Sequence, residues 1–353
     1  LSGATSDNHS KPTLALAMGD PAGISPELTA KLLVLPELLQ AARLIVIGDA
    51  RVLAMGAEHA GVRPEIVVTR DIAALPPASD RPVFVDLGHL DPATVALGVV
   101  SASGGRFALA NFRAALELAA RGGAAAVTFT PFNKGAMRLA HPAYADEISF
   151  CEEVLGAVGH ASEFNVLDDL WNARVTSHVA LRDVASRITR EAVLDGLKLT
   201  DSAMRAAGFA RPRIAVAGLN PHAGDSGNFG REEIDVIAPA VAEAQRLGIA
   251  ADGPFPSDTV FLRAKAGAFD AVLTMYHDQG QIAMKLMGFD RGVTLLGGTP
   301  FPILTPAHGT AYDIAGRGVA NIGAARAALL LAARMAAGRS AAPAKRELEV
   351  GAG

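Results

Sequence analysis

Short β-rich runs alternate with segments of helical spacing along most of this chain, and that alternation restricts the fold more than any other feature. TLALAM, RLIVIG, PVFVD, AAVTFT, RVTSHVAL, RIAVAGL, DAVLTMY and GVTLLGG are compact and mainly apolar. Most lie between segments such as SPELTAKLLVLPELLQAA, GGRFALANFRAALELAAR and EIDVIAPAVAEAQRLG, whose apolar residues recur at helical intervals. Strands that succeed one another through helices predict α/β layering with largely parallel sheets. At 353 residues the chain exceeds one ordinary core, which predicts two lobes. Hydrophobic residues make up 50% and aromatics only 5%, so Ala, Val, Leu and Ile must fill both interiors.

The loops that leave the strands are more informative. TLALAM runs into GDPAGISPE, AAVTFT into PFNK, RIAVAGL into NPHAGDSG, and AVLTMY into HDQG. Ligands of open α/β sheets gather beyond the carboxyl ends of the strands, so these four polar loops predict one shared cleft. The stretch NPHAGDSGNFG, within residues 218–230, has three glycines and no bulky side chain before Phe229. Such a loop costs backbone entropy and returns little packing, which marks it as functional. It carries His222, and His277 leaves another strand in the same way. Each has a carboxylate nearby, Asp225 and Asp278. Neutral imidazole is a common donor to divalent metals, and carboxylates complete such sites. The pair is therefore read as metal-binding, against the alternative that both cap strand ends. His141, His160 and His178 lack this context and are read as structural.

Two loops suit a dinucleotide. GDPAGISPE places Gly19, Asp20 and Gly23 at a strand-to-helix turn, where a cofactor can approach the backbone, although the spacing is not GxGxxG. PAHGTAYDIAGRGVAN, residues 306–321, sets His308, Gly309 and Thr310 in a small-residue turn suited to a phosphate or adenine, with Asp313 and Asn321 beyond it. An acid that accepts from a ribose 2′-hydroxyl favours NAD and repels the 2′-phosphate of NADP.

Charge and composition exclude other classes. The net charge of −4 and the absence of a Lys/Arg block argue against a nucleic-acid surface. The single cysteine, Cys151, excludes an intramolecular disulfide and a CxxC zinc site, and fits a reducing cytoplasm. LSGATSDNHSKP lacks the apolar centre of a signal peptide and reads as a loose tail. AARAALLLAARMAAG is interrupted by Arg326 and Arg334, so no membrane span is expected. A cytoplasmic enzyme of small molecules is the expectation. A nucleotide-binding module would not explain the strand-end histidines, and a metal-dependent hydrolase would not explain the ribose-reading acid.

Taken together, MGDPAGISPE, PFNK, GLNPHAGDSG, GPFPSDTVF (253–261), YHDQG and HGTAYDIAGRGVAN resemble the 4-hydroxythreonine-4-phosphate dehydrogenase family, from about Thr13 to Leu331. The resemblance implies a two-lobed α/β/α fold of the isocitrate/isopropylmalate dehydrogenase type with an interlobe cleft. After a disordered tail (1–12), it implies a first lobe of 13–125 plus 300–353 with the cofactor loops. A second lobe, 126–299, would carry the metal and substrate residues and the dimer contacts. It further implies a homodimer, NAD, and a divalent metal, zinc first and magnesium, manganese or cobalt after it. The reaction implied is oxidation of a β-hydroxy acid with subsequent decarboxylation. The family's metal histidines carry over onto His222 and His277. Its third, in a Gly-His-Thr-Glu stretch, corresponds to YADEISFCEE, where Glu147 is nearest in register and Asp146 is the alternative. Lys134 is the candidate for proton transfer or anchoring, with Asn133 beside it at the substrate. Asp258 and Asp278 would orient the ligands or Lys134.

The substrate groups depart from the family pattern. A lysine, an asparagine and an arginine hold the substrate phosphate in the family. Here those positions read Lys285, Thr294 and Ile303, with Arg291 nearby. Losing the arginine removes a bidentate clamp, and Ile303 suits a flat, carbon-rich substrate. This pattern resembles the family's terephthalate cis-dihydrodiol dehydrogenase branch. The expected reaction is therefore conversion of 1,2-dihydroxy-3,5-cyclohexadiene-1,4-dicarboxylate to protocatechuate, CO2 and NADH. The alternatives are 4-hydroxythreonine-4-phosphate, of pyridoxal phosphate biosynthesis, and 4-phospho-D-threonate or erythronate.

Overall fold

The computed structural model of the chain describes residues 11–77, 79–156 and 161–340. Most of the expected N-terminal tail, the terminal PAKRELEVGAG and His160 lie outside them. Twelve strands form one sheet among the described residues. In chain order they are β1 (Thr13–Ala17), β2 (Arg43–Gly48), β3 (Val67–Thr69), β4 (Val83–Asp86), β5 (Ala126–Phe129) and β6 (Ser162–Leu167). Then come β7 (Leu170–Arg174), β8 (Arg213–Ala217), β9 (Ala250–Phe255), β10 (Ala271–Thr274), β11 (Val293–Gly297) and β12 (Ile303–Pro306). Their order across the sheet is β3-β4-β2-β1-β5-β12-β11-β6-β7-β10-β8-β9.

The α/β expectation holds, with a topology that alternation alone does not specify. β3, β4, β2, β1, β5 and β12 are mutually parallel. β7, β10, β8 and β9 are also parallel to one another. Between the two sets, β11 runs antiparallel to both β12 and β6, and β6 antiparallel to β7. Three reversals leave the second parallel set pointing opposite to the first. β5 sits between β1 and β12, so it belongs with the first set although the expected boundary at 126 assigned it to the second lobe.

Both faces of the sheet are covered by helices, as parallel sheets require. Side chains alternate between faces: Leu14, Leu16, Leu44, Val46 and Leu304 join one core, and Ala15, Ala17, Ile45, Ile47 and Ile303 the other. The first core continues under the second strand set through Trp171, Ile214, Val216 and Leu273. RVTSHVAL is not a strand. Its first residue ends β7, and the rest turns toward the helix Leu181–Arg187. β3, β6, β9 and β12, and all of β7 but its last residue, are additional to the runs read from sequence. No helix among the described residues is long and apolar enough to cross a membrane.

Candidate functional site

Three loops meet at the carboxyl ends of β1, β5 and β12. The Gly19 N–H donates to Thr130 Oγ1 at 2.9 Å, and the Asp20 N–H to the Pro131 carbonyl at 3.0 Å. Ser25 Oγ donates to that same carbonyl at 2.7 Å, and the Ile24 N–H to the Thr310 carbonyl at 3.0 Å. A Cβ on Gly19 would stand 2.2 Å from the Thr130 carbonyl oxygen, and one on Gly23 would stand 2.6 Å from that of Thr310. These two glycines are therefore required by close backbone approach rather than by turn geometry.

The 306–321 loop is tied down from the helix Ser25–Leu32. Glu27, buried, accepts from the N–H groups of Ala320 (2.7 Å) and Gly318 (3.1 Å), and pairs with Lys31 at 2.7 Å. Lys31 in turn donates to the carbonyls of Gly318 and Ala320. At the loop's other end Tyr312 donates its hydroxyl to Asp20 at 2.5 Å. Burial pushes the Asp20 carboxyl up, while the bonds from Tyr312 and the Ala22 N–H pull it back. His308 contacts the Gly309 carbonyl through Nδ1 at 3.0 Å, and its Nε2 is enclosed with no hydrogen-bond partner among the described residues. Asp313 and Asn321 are exposed. An orphaned buried donor or acceptor and an exposed carboxylate carried on the same loop suit a polar, nucleotide-like ligand.

The histidine loops leave β8 and β10, which are neighbours in the second strand set. Gln279 joins them, accepting from the Met275 N–H at 2.8 Å and donating to the Gly218 carbonyl at 2.9 Å. His277 opens the helix His277–Gly288, and its Nδ1 lies 2.7 Å from Asp278 Oδ1. That contact assigns the proton to Nδ1 and leaves the Nε2 lone pair available, the arrangement of a metal-ligating histidine held by a carboxylate. The ring of His178, read from sequence as structural, has its centroid 5.8 Å from that of His277. His222 begins a turn in which residues 222–226 all have φ between 44° and 82°, four of them not glycine. Asp258 is exposed in the first turn of the helix Ser257–Lys265.

The carboxylates expected to supply a third ligand are otherwise engaged. Asp146 caps the helix Glu147–Leu155, accepting from the Ser149 N–H at 2.8 Å in a capping box. Glu147, mostly buried, pairs with Lys134 at 2.8 Å. Burial opposes the Lys134 charge, but Glu147, with Glu163 and Asp146 behind it, outweighs that and holds the ammonium above the usual lysine value. Burial, with Glu147 nearby, also pushes the Cys151 thiol up to about 12, so this cysteine is a packing residue. Among the described residues, no three His, Cys, Asp or Glu side chains come together as a metal-binding group. His222 and His277 fit a divalent ion by donor type, with the remaining donors not gathered beside them in one chain. The four loops divide between the two parallel strand sets, and polar contacts link the sets: Glu163, whose charge acts on Lys134, pairs with Arg174, and Arg174 and Gln281 of the His277 helix both donate to Asn165.

The substrate residues also divide. Lys285 is exposed two turns beyond His277 on the same helix. Thr294 is half-buried on β11, opposite Asn165 and Thr305. Arg291 pairs with Asp168 at 3.1 Å and lines a cavity of about 610 Å³ with Val293, Leu330 and Arg334. It lies at the far end of the helix that His277 begins. Ile303 is fully buried, paired with Leu296 and Val127 inside the core. Packing accounts for its apolar character. Asn133 caps the helix Lys134–Ala140, accepting from the Ala136 N–H at 2.9 Å, and also meets the Tyr312 hydroxyl.

Sequence reasoning singled out neither Glu27, Tyr312 nor Glu233, although each fixes one of these loops. Glu233 stands in GREEID, where an acidic pair reads equally well as ordinary first-turn acid of a helix.

The family model "Pyridoxal phosphate biosynthetic protein PdxA" matches residues 40–332. A protein of Rhizobium meliloti (strain 1021), provisionally named 4-hydroxythreonine-4-phosphate dehydrogenase 2, is 60% identical over 95% of this chain and 96% of its own. A protein of Pseudomonas aeruginosa with the same provisional name is 50% identical over 92% and 97%. A Symbiobacterium thermophilum protein, provisionally named D-threonate 4-phosphate dehydrogenase, is 39% identical over 93% and 97%. Among solved structures, 4-hydroxythreonine-4-phosphate dehydrogenase from Klebsiella pneumoniae superposes with a TM-score of 0.80 at 35% identity, covering 93% of this chain and 100% of that one. Terephthalate 1,2-cis-dihydrodiol dehydrogenase from Burkholderia xenovorans LB400 gives 0.64 at 27%, covering 92% and 98%. The expected terephthalate activity is therefore corrected: the nearer kinship lies with the dehydrogenases of phosphorylated four-carbon acids. The inference from Ile303 failed because that side chain belongs to the core. By family match and by relatives that span nearly its whole length, this chain belongs to the PdxA family of dehydrogenases.

Proposed function

We propose that this protein oxidises the C3 hydroxyl of a four-carbon acid carrying a 4-phosphate, 4-hydroxythreonine-4-phosphate or D-threonate 4-phosphate, with NAD and a divalent metal. The resulting β-keto acid loses CO2. The observation that carries the reading is the helix His277–Gly288. It presents His277 at its start and Lys285 eight residues on, about 12 Å along the axis. A ligand bound near Nε2 of His277 and ending in a phosphate dianion fits between them, with the flexible lysine arm closing the distance. The names of the relatives at 60%, 50% and 39% identity support the same substrate class.

A metal there would polarise the substrate hydroxyl, and NAD would take up the hydride. The chain's own groups do the rest. Asp278 holds His277 in the tautomer that offers Nε2. Lys134 keeps its proton on Nζ against Glu147, which suits it as a fixed cation that anchors an anionic group of the substrate. The Asp20–Tyr312–Asn133 contacts join the cofactor loops to the Lys134 loop. The test is NADH formation with both phosphorylated acids and their dephosphorylated forms, with and without Mn2+ or Zn2+. Turnover of neither phosphorylated acid would overturn the reading.

Asp313 governs the choice of cofactor. Its exposed carboxylate should make kcat/KM with NAD at least about 30-fold higher than with NADP, a difference of about 2 kcal/mol. Asp313→Ala should narrow that ratio mainly by improving NADP, as initial rates with the two cofactors will record.

A homodimer also belongs to this reading. Ile282 and Leu286 are 60% and 84% exposed, one turn apart on the helix of His277 and flanking Lys285. Apolar side chains so placed suit burial against a second copy, which would also bring further donors to the histidines. Sedimentation should give twice the 36.3 kDa chain mass. Leu286→Asp should shift the protein toward monomer and lower activity in proportion. A fully active monomer would contradict this arrangement.

A further inference from the structure

The geometry points to Glu233 as the positioning residue of His222, acting through the left-handed turn that carries it. This rests on the reading of His222 as a metal ligand. From His222 to Ser226, φ is 55°, 53°, 82°, 44° and 56°. L-residues rarely enter this region and almost never in succession, because Cβ crowds the next carbonyl. His222, Ala223, Asp225 and Ser226 all do so here, and only Gly224 does so without penalty. Such a turn persists only where its surroundings over-determine it.

Glu233 is the group that does so. Its side chain is buried, and Oε1 accepts from the N–H groups of Leu219 and Asn220, each at 2.7 Å. Oε2 accepts from Asn220 Nδ2 at 3.0 Å, and the same amide reaches Glu232 Oε2 at 2.7 Å. The carboxylate therefore grips the two residues that lead into the turn. It also fills the space beneath it: a Cβ on Gly224 would stand 2.6 Å from Oε2, and one on Gly218 would stand 3.1 Å from Oε1. Gly224 is thus fixed as glycine twice, by its φ and by Glu233. The bonds come from backbone and amide donors, whose directions are set by the chain, so they define position more sharply than a lysine partner would. The turn has bonds of its own, from the Ala223 N–H to the Asn220 carbonyl and from the Phe229 N–H to the Gly224 carbonyl, but without Glu233 the two residues that lead into it lose the anchor that sets its direction. His222 would then swing away from the direction in which the loop after β10, tied by Gln279 to Gly218, presents His277.

The test measures cobalt(II) affinity of the metal-free full-length protein by visible absorption, which does not require turnover. Partners that hold a metal-binding histidine are worth about 10–100-fold in affinity. Glu233→Gln should weaken Co2+ binding by that factor and alter the d–d spectrum. Asp49→Asn, which removes a buried carboxylate capping the helix Ala50–Ala60, should lower thermal stability and leave cobalt affinity unchanged. If Glu233→Gln does not fold, Asn220→Ala removes one donor to the same carboxylate, and a loss of about threefold or more in affinity is expected. His222→Ala separates the two levels. If it leaves cobalt binding intact, the metal reading itself fails. If it abolishes binding while Glu233→Gln or Asn220→Ala matches the unmodified protein, the positioning role of Glu233 is overturned.

Discussion

His277→Ala is expected to fold, to lose its divalent metal, and to lose at least about 10³-fold in kcat/KM, which corresponds to roughly 4 kcal/mol of transition-state stabilisation. The loss should not be a folding defect. His277 is a partly exposed residue at the start of its helix, and its ring bonds to the carboxylate of exposed Asp278. Asp278→Asn should fall between the two, because an amide can still meet Nδ1 but no longer carries the charge that favours a proton there. Its expected cost is about 10–100-fold in metal affinity. Metal content by mass spectrometry, circular dichroism and NADH formation on the same preparations will distinguish these outcomes. An unchanged kcat/KM in metal-stripped His277→Ala would remove both histidines from the mechanism.

How much of this was legible in the sequence depends on the range of the interaction involved. Strands buried on both faces, such as RLIVIG and RIAVA, are nearly continuous apolar runs and are found where expected. RVTSHVAL failed because β-branched and apolar residues also suit the irregular stretch after β7. There Thr176 bonds to the Met275 carbonyl through both its N–H and its hydroxyl, a contact between segments far apart in sequence. The reversal between the two parallel strand sets was not readable either. It is made by β11 and β6, whose direction is fixed by pairing partners equally remote along the chain.

The loops were legible and their supports were not. Glycine density marked 218–230, yet four of the five left-handed residues in its turn are not glycine. The carboxylate beneath them was indistinguishable from a helix-start acid. Register with a family motif placed Ile303 at a substrate, but register says nothing about which face of β12 a residue occupies. The alternation along β12 puts Leu304 in one core and Ile303 in the other. Inference from a motif position to a ligand therefore needs burial as well as alignment.

In the proposed reading Lys285, exposed on the helix of His277, would meet the phosphate. Arg291 is held by Asp168 at the other end of the helix and beside a separate cavity, and Ile303 is closed off. Thr294 offers at most a hydroxyl. Removing the cationic partner of a largely desolvated dianion costs about 2–5 kcal/mol, or roughly thirty-fold to several-thousand-fold. Lys285→Ala should therefore reduce kcat/KM for the phosphorylated acids by such a factor, mainly through KM, and change it by less than about threefold for the dephosphorylated acids. Lys285→Arg should recover part of the loss, since the charge is kept while the compact ammonium is replaced by a planar fork. Arg291→Ala should alter neither substrate type by more than about threefold. The measurement is kcat/KM for each variant with each member of a phosphorylated and dephosphorylated pair. An equal loss on both members would mean that Lys285 supports the fold or the dimer and does not read the phosphate. A selective loss would assign the anion-binding end of the site to the same helix whose first residue offers Nε2, and would fix the direction in which the substrate lies along it.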